Sequence, residues 1–411
     1  MRIFSRIRII FYCTFLQSIS LSLLVGCTHE TSTVSTTSQN QLSFDIKSTS
    51  TSANETGIVS SIIEIPAGTT AFQVALFGDF DLQYKFISLI APSGQLLMNT
   101  DDLLAATGEE EASGPPIVFN YPSNIATSRH LQEGNYNINF QVQAKNGKPK
   151  ANSPVVVSYL SRGGSGDYSR SAVVNVNVIL AGAVADDIRN NSSIMSALAK
   201  VQTIYEQQSI ELALNIIKRA DLPTVLPNPN DDKDNVIYEQ ISNSYPFAVN
   251  VVFGADVTRL STPNNRFAES GFIPIPAMPT SKSAVAISVE ELAGNDGEFD
   301  RDRNESNLDY QIFDDETLQM ATVIAHEIGH ALGLKNSVEI QGERVIDSDV
   351  LSDTPSCVEE NGCEVQRPAN ENIMFPYSIK KHGTDNEFWT RDKLTNQQAI
   401  IIKQNVLTRL K

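Results

Sequence analysis

The apolar residues follow two different periods along the chain, and the change occurs near residue 163. Between residues 58 and 160 they alternate with polar residues in short runs separated by Gly, Pro and Asn, most clearly at 136–142. A period of two predicts half-buried strands, and a series of short strands without a helical stretch predicts an all-β sandwich. We place this sandwich at residues 57–162 and expect no catalytic chemistry in it.

A Gly/Ser-rich linker at residues 163–171 leads into a differently organised second half. Apolar runs such as VVNVNVIL and FAVNVVFGADV alternate with stretches of helical spacing, which predicts a mixed α/β (α+β) domain at residues 172–411. The predicted helices lie near residues 192–208 and 235–242, from about Asp315 onward, and after Thr395, which is the expected N-cap.

The N-terminus has the pattern of a secretory signal. Three arginines precede an apolar run at residues 9–25, and no acidic residue occurs before Glu30. The run ends in LVGC at Cys27, which resembles the lipobox of bacterial lipoproteins. We therefore expect a signal peptide at residues 1–26 and acylation of Cys27, with an ordinary cleaved signal or a transmembrane anchor as the alternatives.

The lipobox resemblance implies that an N-terminal lipid anchors the protein to the membrane of a bacterial cell envelope. Thr28 stands where an Asp would usually retain a lipoprotein in the inner membrane, which favours the outer membrane or the cell surface. Residues 27–56 are rich in Ser and Thr and offer little to bury, so we predict a flexible tether there.

The charge balance narrows the expected partners. The 411 residues include 31 basic and 48 acidic ones, giving a formal net charge of −17. A field of this sign repels phosphate backbones, so we expect no nucleic-acid partner. It also opposes binding to anionic lipid, which leaves the acyl chains as the membrane attachment.

The candidate chemistry lies in the long helix, within the string AHEIGHALGLKN. His326 and His330 are four residues apart, so on a helix both imidazoles leave the same face and can bind one cation. Glu327 lies beside them and can reach a water bound to that cation. This HExxH pattern indicates a Zn²⁺ site with Glu327 as general base. Two helix histidines without a metal are the alternative.

Further motifs around this helix resemble the metzincin zinc peptidases. Gly333 stands where that family ends the helix in a sharp turn, and NIMFP around Met374 resembles its Met-turn, in which the methionine packs beneath the metal. A DTP segment at residues 353–355, followed by cysteines, resembles the pappalysin-like branch. The resemblance covers residues 173–411 and implies a zinc endopeptidase that acts on proteins or peptides.

One position departs from the family pattern HExxHxxGxxH. The third zinc ligand would fall on Asn336, and a neutral Asn is a poor zinc ligand beside imidazole, carboxylate or thiolate. Another group can complete the site instead, or the site is weakened. The candidates nearby, none at the family spacing, are Glu339, Asp347, Asp349, Asp353 and His382.

The two cysteines of the second half are close in sequence. In an oxidising envelope compartment we expect Cys357 and Cys363 to form a disulfide. A second metal site is the alternative, although no further thiol or histidine accompanies the pair. The disulfide would have a structural role.

An acidic segment raises the question of calcium. Asp300, Asp302 and Asn304 match the first ligands of an EF-hand loop, but Glu305 stands where Gly is required, which excludes an EF-hand. A looser Ca²⁺ site and a solvated loop remain open. We expect His130 to be a surface histidine or one with its hydrogen bonds satisfied, and the acidic runs at 101–102 and 109–111 to lie in solvated loops.

Two functional hypotheses follow from the sequence. The first is an envelope-anchored zinc endopeptidase, with Zn²⁺ on His326 and His330, Glu327 as base and then acid, and Met374 beneath the site. The second is a catalytically weakened or inactive lipoprotein of the same fold that acts in binding or adhesion. Asn336 separates the two.

Overall fold

Strands dominate the first third of the computed structural model of the chain. The structure describes residues 44–79, 81–100, 117–122, 131–164, 166–186, 188–229, 236–258, 268–270, 283–289, 312–341, 344–349, 351–355, 371–376, 381–382, 387–388 and 391–411. The first eight strands are β1 (Phe44–Ser52), β2 (Ile58–Ile65), β3 (Thr69–Phe77), β4 (Leu82–Ile90), β5 (Leu96–Asn99), β6 (Ile117–Tyr121), β7 (Gly134–Ala144) and β8 (Pro154–Gly163).

These strands form two antiparallel sheets around a shared apolar core, as the period of two predicted. One sheet has the order β1-β8-β3-β6 and the other the order β2-β7-β4-β5. Buried aromatic side chains fill the space between them, with Phe86 against Phe119 and Phe140 at ring-centroid distances of 5.1 and 5.8 Å in edge-to-face contacts. The outer positions of the same strands are polar for the most part.

The predicted tether at residues 27–56 is wrong for its last part. Residues 44–52 form β1, which pairs along its whole length with β8, and Ile46 packs against an apolar core. The run KSTSTS lacks the apolar alternation of a buried strand, which is why its composition suggested a tether. An edge strand requires only the backbone ladder of its one neighbour, and β-branched Thr favours the extended backbone.

The second half is built on a mainly parallel sheet. Its strand order is β10-β9-β12-β15-β14, with β20 paired antiparallel to the start of β9. The elements are β9 (Ala172–Ala181), a 3₁₀ turn (Gly182–Ala185), α1 (Ile188–Glu206), β10 (Ile210–Arg219), β11 (Val225–Leu226), α2 (Ile237–Ser244), β12 (Val249–Gly254), β13 (Asp256–Val257), β14 (Ala268–Ser270), β15 (Val285–Ser288), α3 (Ile312–Ala331), β16 (Val338–Gln341), β17 (Arg344–Ser348), β18 (Lys381–His382), β19 (Glu387–Phe388), α4 (Asn396–Gln404) and β20 (Thr408–Leu410).

Helices cover both faces of this sheet, so its central strands read as continuous apolar runs. Alternate residues of β9 and β12 pack with α1, α3 and α4 on one face, and the intervening residues pack with α2 on the other. The chain is thus α+β, and the four predicted helices are confirmed with bounds shifted by a few residues. Within the described part of the chain, no helix has the length and apolarity needed to cross a bilayer.

A buried arginine joins the sandwich to the C-terminal segment. Arg162, at the end of β8, is 2% exposed, and its Nη1 donates to the carbonyl oxygens of Lys403, Asn405 and Thr408. Its Nη2 donates to the Thr70 hydroxyl at 3.3 Å. The guanidinium therefore binds backbone oxygens at the C-terminus of α4. This end of a helix carries a partial negative charge, which favours a cation.

Replacing this arginine is expected to destabilise the protein strongly. Arg162→Met removes a charged donor and leaves several buried carbonyls without a partner, so the free energy of unfolding should fall by about 3 kcal/mol. Urea denaturation followed by circular dichroism measures the loss. Arg170→Met, at an exposed arginine of the linker, is the matched control and should change little. Equal stabilities of the two variants would contradict the assigned role of Arg162.

Candidate metal centre

Helix α3 brings the two histidines of the HExxH string into direct contact. The Nε2 atoms of His326 and His330 are 3.0 Å apart, and the ring planes are nearly perpendicular with their centroids 4.5 Å apart. The spacing of four residues predicted this shared face. Two imidazole nitrogens at this distance can bind the same cation.

Hydrogen bonds at the opposite ring nitrogens determine the tautomers. The Nδ1 atom of His326 lies 2.7 Å from the Ile373 carbonyl oxygen, and that of His330 lies 2.9 Å from the Leu334 carbonyl oxygen. A carbonyl oxygen only accepts, so each Nδ1 carries the proton. In the neutral rings both Nε2 atoms then present lone pairs to each other, and their repulsion is relieved only by a shared proton or a cation.

A proton on the His326 ring is unfavourable at neutral pH. Burial of the His326 ring lowers the pKa of His326 to about 3, and a positive charge on His330 would add to that effect. Both the lone-pair geometry and the desolvation therefore suit a metal ion. A hydrogen bond from Nδ1–H to a backbone carbonyl is also one of the common ways in which proteins orient histidine ligands.

The end of α3 supplies one of the two orienting carbonyls. Gly333 has φ +93°, and the Gly333 and Leu334 amides donate to the His330 and Gly329 carbonyl oxygens, both at 2.9 Å. This pair of bonds is the Schellman arrangement, in which a left-handed glycine reverses the chain after a helix. The reversal places the Leu334 carbonyl at the His330 ring. The turn predicted at Gly333 is confirmed.

The turn at residues 372–376 supplies the other carbonyl. The Asn372 side chain accepts from the backbone N–H of Met374 at 2.9 Å. It also forms two hydrogen bonds with the buried side-chain amide of Gln398, one in each direction. Gln398 also completes the capping box of α4 with Thr395, which confirms the predicted N-cap. The start of α4 thus holds the turn that positions Ile373.

Gly329 has a role that the sequence analysis missed. A Cβ atom at this position would lie 2.5 Å from the Sδ atom of Met374, which is fully buried. Only glycine therefore lets the methionine pack against the helix between the two histidines. A glycine in a helix interior is unfavourable by about 1 kcal/mol. Its presence in the middle of the predicted helix was the one feature of the sequence that could have indicated a close packing contact there.

A buried arginine holds the same turn from the other side. Arg391 donates from Nη1 to the Phe375 carbonyl oxygen at 3.3 Å, and its guanidinium carbon lies 4.9 Å from the centre of the Phe375 ring. The Thr322 hydroxyl of α3 donates to the Arg391 carbonyl oxygen at 3.5 Å. Burial lowers the pKa of Arg391 to about 9.

The segment that contains Asn336, the candidate third ligand position, lies alongside the turn at residues 372–376. The Ser337 amide donates to the Met374 carbonyl oxygen at 2.8 Å, and the Asp349 amide donates to the Ser337 carbonyl oxygen at 3.2 Å. Asn336 directly precedes Ser337 in the sequence and is half-buried. Within the described ranges, no three His, Cys, Asp or Glu residues are grouped closely enough to hold a metal.

The other candidate ligands have different surroundings. The Asp353 carboxylate accepts from the Gln397 amide at 2.9 Å, so it caps the start of α4 and ties the DTP segment to that helix. Asp349 is half-buried, and burial raises the pKa of Asp349 to about 6. Glu339, Asp347 and His382 lie in β16, β17 and β18, and their side chains lie outside the described part.

Several predictions fall on residues that the structure does not describe. These concern the acylation of Cys27, the disulfide between Cys357 and Cys363, the acidic segment around Asp300 with its Ca²⁺ alternative, and His130. They remain predictions from the sequence.

Comparisons with known proteins do not place the chain in a family. No family model and no curated protein matches it. Among solved structures, it is similar to a family two carbohydrate esterase from Cellvibrio japonicus, with 8% identity, 53% of this chain and 81% of that chain covered, and a TM-score of 0.12. A glycosylation-associated protein complex from Streptococcus agalactiae gives 10% identity, 56% and 44% coverage, and a TM-score of 0.14. Neither TM-score supports an argument about fold or activity.

The contact between Gly329 and Met374 gives a testable prediction. Gly329→Ala should lower the free energy of unfolding by about 1–3 kcal/mol, although alanine favours the helix, because the new Cβ displaces the methionine. In a Met374→Ala background the same change should be neutral or stabilising. Urea denaturation of the four proteins measures the coupling. Additive effects would show that the two residues do not constrain each other.

Proposed function

We propose that the protein is a zinc-dependent endopeptidase whose metal is bound by His326 and His330. The observation that carries the proposal is the 3.0 Å approach of two Nε2 atoms whose Nδ1 atoms are both engaged by backbone carbonyls. Neutral imidazole nitrogens in this arrangement are suitable ligands for Zn²⁺. Bound there, Zn²⁺ would supply Lewis acidity that makes a water molecule an effective nucleophile near neutral pH.

The remaining chemistry belongs to side chains of this chain. Glu327 follows the first histidine on α3 and is half-buried. Its carboxylate takes a proton from the attacking water and returns that proton to the amine of the leaving peptide, so one residue serves as base and then as acid. The turn at residues 372–376 holds the His326 ring in place through the Ile373 carbonyl oxygen.

A second candidate function rests on Asn336. A binding or adhesion protein that does not hydrolyse peptides would keep the fold and tolerate an amide where a third imidazole would complete the site. Within the described ranges, no three His, Cys, Asp or Glu side chains are grouped so that they could hold a metal, which is compatible with this alternative. Metal binding and hydrolysis are therefore tested separately.

The first test concerns zinc. The purified chain should bind zinc, and His326→Ala should remove it. Asn336→His should raise the zinc affinity by at least about 10–100-fold if the chain brings this position to the metal, because an imidazole then replaces a weak ligand. Competition with a chelating dye measures the affinities.

Two controls accompany the zinc measurement. His130→Ala removes a histidine that the proposal does not use, and it should leave zinc binding unchanged. Asn336→Ala shows whether the wild-type amide contributes. If wild type and Asn336→His both bind no zinc, the metal site is wrong, and if Asn336→Ala binds as tightly as wild type, Asn336 is not a ligand.

The second test concerns hydrolysis. Glu327→Gln should keep the zinc content and reduce peptidase activity by about 10²–10⁴-fold, because an amide of nearly the same size cannot accept the proton of the attacking water. Cleavage of a fluorogenic peptide library gives the rates. Glu206→Gln, at an exposed position at the end of α1, should behave as wild type. Equal rates for Glu327→Gln and wild type would contradict the mechanism. A zinc-loaded wild type that cleaves no peptide supports the binding protein.

A further inference from the structure

The outer face of the sandwich has an unusual composition along its central strand. The outward residues of β7 alternate with buried aromatic and aliphatic residues, and every one of them is an amide. We call these residues the amide face; they are Asn135, Asn137, Asn139, Gln141 and Gln143. Solvated strand faces usually mix charged and hydroxyl side chains, so five consecutive outward amides require an explanation.

Neighbouring strands hold part of this face in fixed orientations. The Ser60 hydroxyl on β2 donates to the Asn139 Oδ1 atom at 2.7 Å, and the Asn139 Nδ2 atom donates to the Ser88 hydroxyl on β4 at 2.9 Å. The Gln143 amide donates to the Gln83 amide at 3.5 Å. Donors and acceptors are thus arranged in advance, which lowers the entropy lost when a ligand binds.

An exposed aliphatic row lies directly beside these polar groups. The register aligns Ile62, Asn137, Ile90 and Leu96 across all four strands of the sheet. Ile62 and Leu96 are 57% and 53% exposed, the largest exposures of big apolar side chains in the described part of the chain. The sheet therefore presents a narrow row of three aliphatic side chains, with the Asn137 amide between Ile62 and Ile90.

Charge determines which partner suits this surface. Its outward charged residues in the described strands are Glu64 and Lys85, which cancel, and Glu64 also pairs with Lys47 at 2.8 Å. The whole chain carries −17, so a second copy and any polyanion are repelled on approach. Three aliphatic side chains are also too few for the roughly 800 Å² per partner that a stable protein interface buries. A neutral partner is favoured.

We propose that the amide face and the aliphatic row bind a neutral polysaccharide. Amide and hydroxyl side chains offer the donors and acceptors that sugar hydroxyls need, and Ile62, Ile90 and Leu96 cover the C–H face of a pyranose ring. Four strands about 4.8 Å apart and five alternate residues along β7 give a surface of roughly 15 by 27 Å, long enough for several sugar units. The sandwich thus acts as a glycan-binding module, independent of the metal site.

Affinity gel electrophoresis of the full-length chain tests the proposal. The gels contain β-glucan, xylan, mannan or dextran, with anionic polygalacturonate as a charge control. At least one neutral polymer should retard the wild type. Asn137→Ala and Ile62→Ser should each weaken that retardation by about 3- to 10-fold, as expected for the loss of one or two contacts. Gln207→Ala, an exposed amide outside the sandwich, should match the wild type.

Three outcomes would overturn the proposal. In the first, none of the four neutral polymers retards the protein. In the second, Asn137→Ala is retarded as strongly as the wild type. In the third, sedimentation equilibrium shows a dimer that Ile62→Ser dissociates, which would assign the row to a second copy of the chain. Zinc content, measured on the same variants, should remain unchanged, so this test is independent of the metal site.

Discussion

The approach of two imidazole lone pairs is the constraint on which the candidate site depends. His326 and His330 can be held this way only if something fixes the far side of each ring, and backbone carbonyls do so at both. Their positions come from two different reversals of the chain, one after α3 and one at residues 372–376. The second reversal is fastened to the start of α4 through Gln398. The C-terminal helix is therefore part of the support of the site, although it contributes no ligand.

Buried polar groups serve the same purpose elsewhere in the fold, because each one specifies which segments meet. Arg162 binds three carbonyls in the C-terminal segment and Arg391 binds the turn at Phe375. Each guanidinium loses hydration, and burial lowers the pKa of both groups. Such desolvation is tolerated where several acceptors or an aromatic face replace water. Apolar packing alone would leave the relative positions of these segments less sharply defined.

Local features could be predicted from the sequence, whereas features that need distant partners could not. The histidine spacing, the glycine turn at Gly333 and the Thr395 cap each depend on a few consecutive residues, and all three are confirmed. Strand β1 was missed because a Ser/Thr edge strand has no apolar signature. The role of Gly329 could not be predicted, because it depends on a contact with Met374, which is 45 positions later in the sequence. The amide face becomes visible only when the strands around β7 are in register.

The facing imidazoles also bear on the choice between the two proposed functions. In a metal-free binding protein, a pair of desolvated rings with opposed lone pairs lowers stability, and apolar side chains of similar size would pack there at less cost. The helix also contains Gly329, which is unfavourable in a helix interior and is needed for the packing of the buried Met374 side chain. A bound cation would turn the lone-pair repulsion into attraction, and Asn336 would then alter how tightly the cation is held without removing the reason for the arrangement. The proposed metal site would therefore account for the helix better than a metal-free pair of histidines does, whether or not peptides are hydrolysed there.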